Sequence, residues 1–233
     1  MEKTFEMYSP NVKALKVLRS EIDAREMEWR YNYIEKNPTI VSYYFLFKDL
    51  SGIKYNGTNI LNIRKNYYKL SMVFPDHPYT AIIAQMLDSH NTIKVGGKYI
   101  DFSAPDLNGN ITTLSQEING AKAFYVDLWA SWCSPCIKKS QKMIPVYNEF
   151  KDQGFTVLGV AREFKNTNNF ERRIKKDNYP WLNLIDLDDQ NQIWLKYNVP
   201  FGGGGTFLVD EKGKILAINP TSEEVRNILL KTL

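Results

Sequence analysis

Cys133 and Cys136 are the only cysteines of the 233-residue chain, and Ser134 and Pro135 separate them in the sequence WCSPC. Two thiols at this spacing can form a working dithiol, half of a metal site or a structural disulfide. A structural zinc site needs four ligands, and the two histidines of the chain lie far away, in its first half. The spacing therefore favours reversible disulfide chemistry over metal binding.

The cysteines follow an apolar strand and open a helix. Residues 121–130, AKAFYVDLWA, form a nearly continuous apolar run, which is typical of a central strand covered on both faces. The helix is predicted to end near Lys151. Unpaired N–H groups and the helix dipole at its start stabilise a thiolate, so we expect the pKa of Cys133 to lie below the ordinary thiol value of about 8.5. Pro135 is tolerated in the first turn, where a missing N–H costs little.

Asp127 is the single charged residue of the inner part of that run, AFYVDLWA. A carboxylate in a central strand is costly unless it is protonated or has a partner, and burial raises its pKa. Such a group can pass protons to and from Cys136 while the disulfide forms. The alternative is an aspartate at a strand edge that binds only local backbone.

Strands and helices alternate through the second part of the chain. Buried strands are predicted in FTVLGVA and WLNLIDL, and polar helices in NTNNFERRIKKDN and DDQNQIWLKYNV, the latter with Asp188 and Asp189 at its N-terminus. Hairpins are predicted with turns at residues 108–109 and 211–214, and a capping box of Thr221 and Glu224 should begin the last helix. This order predicts an α/β fold with a central mixed sheet flanked by helices.

Residues 1–93 show helical periodicity in place of alternating strands and helices. They are predicted to form a helical N-terminal region that precedes a domain over residues 94–233. A helix is expected to start at Ser9-Pro10, and apolar residues then recur at three- and four-residue spacing, at Leu15, Leu18, Ile22, Trp29 and Tyr33. Three shorter helices are expected over residues 39–49, 58–72 and 78–90. No catalytic constellation is evident there, so we expect a small helical bundle.

Composition excludes several classes of partner. The net charge of +4 results from 30 basic and 26 acidic residues that are dispersed along the chain, which argues against a nucleic-acid partner. No stretch approaches the roughly 20 apolar residues that a membrane span needs. The N-terminal residues show no pattern of a signal peptide, which is compatible with a cytosolic protein or with a targeting segment that has been removed.

The segment DLWASWCSPC, residues 127–136, resembles the active site of thioredoxin-fold proteins. Three further segments, VGGKYIDFSAPDLNGNITTLS, VYNEFKDQGFTVLGVA and FLVDEKGKILA, are similar to the TlpA/ResA-like branch of that fold, which is related to the AhpC/TSA proteins. The resemblance covers roughly residues 94–233. It implies a thioredoxin-like fold and the activity of an exported thiol–disulfide oxidoreductase of the periplasm or cell envelope. The implied direction is that of a reductase, and no cofactor is implied.

The resemblance also implies roles for single residues. Cys133 would attack the partner disulfide, Cys136 would resolve the mixed disulfide, and Asp127 matches the buried acid of the family. Arg162 lies near the place of a thioredoxin lysine, although Arg162 and Glu163 are equally compatible with surface charges. The implied partners are a protein with a disulfide and an upstream thiol reductant.

The chain departs from the family in the loop that should face the cysteines. Thioredoxin-fold proteins have a cis-proline there, whereas this sequence has NVPFGGGGTFLVD, with Gly204 at the corresponding position. Glycines permit positive φ angles and a close approach of backbone to a ligand. We therefore expect a partner-binding surface, with a plain connector as the alternative, formed by Trp132, Ser134, Pro135, Gly203, Gly204 and Gly205.

Two other functions are compatible with the sequence. A peroxiredoxin-like thiol peroxidase would need a threonine and an arginine around the reactive cysteine, and residues 127–136 contain no such threonine. A redox-inactive module that binds a peptide or a metal is the other alternative, since the cis-proline is missing. The remaining tryptophans are predicted to be structural, with Trp129 beneath the site and Trp181 and Trp194 in the core.

Overall fold

The structure is a computed structural model that describes residues 10–53, 59–200 and 202–233. The chain divides into two compact units, Met1–Ala84 and Gln85–Leu233. This division falls within the helix Pro78–Thr92. It lies before the boundary predicted from the sequence, which is between residues 93 and 94.

The described part of the first unit is helical. Its helices are α1 (Pro10–Lys36), α2 (Ile40–Ser51), α3 (Ile60–Val73) and the start of α4 (Pro78–Thr92). These bounds confirm the helices predicted from periodicity, while Ser9 lies outside the described residues. Four apolar residues of the predicted stripe are more than half exposed in α1, namely Leu15, Leu18, Ile22 and Trp29. The spacing therefore identified the helix without identifying a buried face.

The second unit contains a five-stranded mixed sheet with the order β5-β4-β3-β6-β7. Strands β3, β4 and β5 are parallel, and β6 and β7 are antiparallel to their neighbours. A separate hairpin of β1 and β2 precedes the sheet. The strands are β1 (Ser103–Pro105), β2 (Ile111–Thr113), β3 (Ala123–Trp129), β4 (Phe155–Glu163), β5 (Asn183–Leu187), β6 (Gly205–Asp210) and β7 (Ile215–Ile218).

Helices cover both faces of this sheet, so the predicted α/β fold is confirmed. They are α5 (Leu114–Glu117), α6 (Ser134–Phe150), α7 (Asn168–Asp177), α8 (Ile193–Lys196) and α9 (Ser222–Thr232), with a 3-10 turn at Lys151–Gln153. Thr221 and Glu224 form the predicted capping box of α9. Within the described residues, no helix is both long enough and apolar enough to cross a bilayer.

The position of β3 explains its apolar sequence. It pairs with β4 on one side and β6 on the other, and all seven of its residues are buried. Because successive side chains of a strand point to opposite faces, Phe124, Val126 and Leu128 enter one core cluster, and Tyr125 and Trp129 enter clusters on the face that α6 covers. Asp127 is two residues away from both Tyr125 and Trp129, so its side chain points to the same face of the sheet and faces α6.

One predicted helix is much shorter than expected. The segment DDQNQIWLKYNV contains only the single turn α8, and the N-terminal role assigned to Asp188 and Asp189 was wrong, because both adopt positive φ angles in the preceding turn. Asp186 binds the start of α8 instead, accepting hydrogen bonds from the N–H groups of Asn191 (2.9 Å) and Ile193 (3.0 Å). The predicted core positions of Trp181 and Trp194 are confirmed.

Candidate active site

Cys133 and Cys136 lie where β3 passes into α6. They are joined by a disulfide, with their Cα atoms 5.3 Å apart. Cys133 occupies the N-cap position of α6, and Pro135 lies in the first turn, as predicted. Cys133 is only 8% exposed, so little of this residue is accessible from solvent.

Glu163 holds the loop in front of the cysteines. Its carboxylate, at the end of β4, accepts hydrogen bonds from the backbone N–H of Ser131 (2.8 Å) and from the Ser131 hydroxyl (2.7 Å). Glu163 is 3% exposed, so the interpretation as a surface charge was wrong. A buried carboxylate in a central sheet is retained here because it satisfies two donors of an otherwise irregular turn.

The sulfur atoms adjoin a cavity of about 490 Å³. This cavity is lined by every residue that we predicted to form the dithiol, the buried acid beside it or the partner-binding surface. The lining residues are Asp127, Leu128, Trp132, Cys133, Ser134, Pro135, Cys136, Lys139, Gly202, Gly203, Gly204, Gly205, Thr206 and Asn219. The fold thus brings together the end of β3, the start of α6 and the glycine loop before β6.

Asp127 is buried beneath the dithiol, 2% exposed. Burial raises its pKa to about 6, although a hydrogen bond from Ser140 and the positive charge of Lys139 both oppose the increase. The Ser140 hydroxyl lies 2.5 Å from Oδ2 of Asp127 and 3.1 Å from the backbone oxygen of Cys136. The carboxyl is therefore bound by a side chain of α6 and lies in the central strand, not at a strand edge.

Lys139 and Ser140 belong to the site but were missed in the sequence. They lie three and four residues after Cys136, which places them on the same face of α6 as that cysteine, so helical periodicity could have identified them. The Lys139 ammonium donates to Oγ1 of Thr206 at 3.3 Å, and Thr206 is the residue opposite Asp127 on β6. Burial lowers the pKa of Lys139, and the charge of Asp127 acts in the opposite direction.

The glycine loop approaches the dithiol closely at one residue. A Cβ atom on Gly204 would lie 2.1 Å from the backbone oxygen of Leu128 and 2.9 Å from Sγ of Cys136. Gly205 is restricted by Val199, whereas Gly202 and Gly203 have open space around them. All four glycines have φ angles outside the left-handed region. Glycine is therefore required at Gly204 and Gly205 because neighbouring atoms lie too close for a Cβ atom, and not because of a positive φ angle.

Arg162 lies near the end of β4, outside the cavity, and is buried, so its interpretation as a surface charge was wrong. Its correspondence to a thioredoxin lysine stays a prediction. Arg162 is 2% exposed and binds Asp189, with its Nε 2.6 Å from Oδ1. Its guanidinium also lies over the rings of Phe164 and Trp194. Phe164 in turn stacks on Trp132, and these two rings form an exposed aromatic pair beside the cysteines.

Known proteins are similar to this chain in sequence. The family model for the AhpC/TSA family matches residues 95–218, somewhat more than half of the chain. The thiol-disulfide oxidoreductase ResA of Bacillus subtilis is 30% identical over 143 residues, which cover 60% of this chain and 73% of that protein. ResA of Geobacillus kaustophilus is 29% identical over 140 residues, 59% of this chain and 75% of the relative.

A solved structure agrees with these relatives. The thioredoxin domain of a thiol-disulfide oxidoreductase from Bacteroides vulgatus superimposes with a TM-score of 0.53 at 28% identity, covering 59% of this chain and 96% of that domain. The matched region contains the mixed sheet and the cysteine pair, whereas α1 to α3 lie outside the part that the family model matches. The chain therefore belongs to the AhpC/TSA family, as a thioredoxin-fold thiol–disulfide oxidoreductase of the TlpA/ResA-like branch.

Proposed function

We propose that the chain is a protein-disulfide reductase that uses Cys133 and Cys136 as its dithiol. The observation that carries this proposal is the common cavity, in which the disulfide, the buried carboxyl of Asp127 and the glycine loop face one another. A nucleophile, a resolving thiol and a proton acceptor are the groups that disulfide exchange needs.

The first step is the attack of the Cys133 thiolate on one sulfur of a partner disulfide. A bond forms between Sγ of Cys133 and that sulfur, the partner's S–S bond breaks, and its second sulfur leaves as a thiolate. The N-terminus of α6 stabilises the attacking thiolate, because Cys133 is the N-cap residue and lies at the positive end of the helix dipole.

In the second step Cys136 resolves the mixed disulfide. Its thiol gives a proton to the carboxylate of Asp127, and the resulting thiolate attacks Sγ of Cys133. A bond forms between the two cysteine sulfurs, the bond between Sγ of Cys133 and the partner breaks, and the partner sulfur that Cys133 had attacked leaves as a thiolate. The partner has then gained two electrons, and the cysteine pair has lost two. A carboxyl with a pKa of about 6 is mostly ionised at neutral pH and is still a useful base for a thiol. An upstream thiol reductant reverses the sequence and restores the dithiol.

Charge around the pair supports the reductase direction. Strong oxidants of this fold stabilise their reduced, thiolate form. Here the two residues between the cysteines, Ser134 and Pro135, carry no charge, and the buried Asp127 disfavours a second negative charge beside it. The reduced form is therefore less stabilised, so the dithiol donates its electrons more readily.

The partner is a protein segment with an accessible disulfide. Trp132, Ser134 and Pro135 are exposed on one side of the opening, and Gly203, Gly204 and Gly205 line the other. An extended peptide can lie between these walls, because the glycines remove the side chains that would hold its backbone away. We extend the proposal to the periplasm or cell envelope, on the resemblance to the TlpA/ResA-like branch alone.

The arrangement gives less support to a thiol peroxidase. That activity would need an arginine beside the reactive cysteine, and the described residues that line the cavity include Thr206 but no arginine. Arg162 is bound to Asp189 instead.

A trapping experiment tests the proposal. In Cys136→Ser the resolving thiol is missing, so the variant should accumulate a mixed disulfide with an oxidised peptide such as insulin, detected by mass. Cys133→Ser should form no such adduct. The proposal fails if both variants form adducts equally, or if the wild-type dithiol does not reduce the peptide.

A further inference from the structure

The glycine loop presents a physical problem that the proposed function leaves unanswered. Gly205 is held in β6 by its pairing with β3, but Gly202, Gly203 and Gly204 precede the strand. Glycine loses more conformational freedom on ordering than any other residue, so these three in succession should leave a mobile wall of the active-site cavity. A mobile loop would bind a partner weakly through its backbone, because the entropy lost when the loop becomes ordered reduces the affinity. Some other group has to hold the loop.

The glycine loop accepts a hydrogen bond from the indole N–H of Trp194, a buried residue of the core. Nε1 of Trp194 donates a hydrogen bond to the backbone oxygen of Gly203 at 2.8 Å. The Gly203 N–H donates to the oxygen of Pro200 at 3.2 Å, so both polar backbone groups of this glycine have partners. The next residue, Gly204, lies against the backbone of Leu128.

Trp194 is itself fixed on several sides. It is 2% exposed and packs in the core cluster with Leu128, Val160 and Ile193. The guanidinium of Arg162 lies 5.6 Å from the centre of its ring, and Asp189 holds that guanidinium by two hydrogen bonds. An indole with so little freedom loses almost no entropy when it holds the loop.

We propose that Trp194 is a positioning residue, which orders the glycine loop for partner binding and takes the place of the rigid proline that thioredoxin-fold proteins have there. This inference rests on the proposed function. Trp194 does not line the cavity, so it acts through Gly203 and Gly204 and not on the reacting sulfurs. Its effect should therefore appear with a partner that contacts the loop and should be absent with a small disulfide.

Trp194→Phe tests this role, because it removes the indole N–H and keeps a buried ring. The second-order rate constant of the reduced variant with insulin should fall about fivefold, the size expected for one lost hydrogen bond, while that with hydroxyethyl disulfide should change less than about twofold. The midpoint potential should stay at the wild-type value. Trp181→Phe is the matched control, since it makes the same change at another buried tryptophan.

Equal losses with both disulfides, or the same insulin defect in Trp181→Phe, would overturn the role of Trp194 and leave the reductase intact. Wild-type protein supplies a test that does not depend on the folding of a variant. The backbone amides of Gly203 and Gly204 should have NMR order parameters near the rigid value of about 0.85, and values below about 0.6 would contradict the proposal. A wild-type dithiol that reduces neither disulfide would instead contradict the proposed function, and the order parameters would still decide whether the loop is held.

Discussion

Asp127 is the residue whose charge state should couple the stability of the protein to pH. Its pKa is about 6 in the folded chain and 3.8 ordinarily. A carboxyl with a raised pKa favours folding below its ordinary pKa, and this contribution is lost as the pH rises from about 4 to about 6. Above that range the buried charge costs roughly 3 kcal/mol, at about 1.4 kcal/mol per pH unit.

Asp127→Asn should therefore stabilise the oxidised protein at pH 8 and much less at pH 4, because the amide cannot ionise. Thermal melts at the two pH values measure this difference. Asp152→Asn, at an exposed position, is the control and should show no such dependence. A stability gain in Asp127→Asn of equal size at both pH values would contradict the assignment of the buried charge.

Lys139 is the cation that opposes the rise in the pKa of Asp127. Lys139→Gln should raise that pKa further, so the carboxylate should accept the proton of Cys136 only at higher pH. We expect the acidic limb of the rate of mixed-disulfide resolution to move up by as much as about one pH unit. Lys138→Gln, an exposed neighbour on the same helix, should leave the profile unchanged, and a shift of equal size there would refute the role of Lys139.

At the scale of elements, the site depends on how closely the glycine loop meets β3. In Gly204→Ala the new methyl would collide with the backbone oxygen of Leu128, which cannot move without disturbing the central strand. We expect a loss of about 1–3 kcal/mol, the usual cost of overpacking. Gly203→Ala has open space and should change stability by less than about 0.5 kcal/mol in chemical denaturation. Equal losses in both variants would show that contact with Leu128 is not the constraint.

Local patterns predicted most elements and only part of the site. The apolar run of β3, the proline in the first turn of α6 and the capping box of α9 are short-range features, so the sequence contains them directly. The buried states of Arg162 and Glu163 depend on Asp189 and Ser131, which lie far away in the chain, and no local pattern shows such partners. Trp194 and Gly203 are closer in the chain, but their hydrogen bond joins a helix to an irregular loop, which no local pattern shows either.

At the scale of the whole molecule, the matched family region accounts for the sheet and the dithiol and leaves the first helices without an assigned role. All residues of the proposed mechanism lie in the second compact unit. We therefore attribute the redox chemistry to that unit.

A redox titration of the Cys133–Cys136 pair in defined thiol buffers, with free thiols counted by alkylation and mass, tests the central claim most directly. We predict a reversible two-electron transition near the thioredoxin potential of about −270 mV. A midpoint near about −120 mV would contradict the reductase direction, because such a pair is a strong oxidant. The absence of any reversible transition would contradict the redox function of the dithiol.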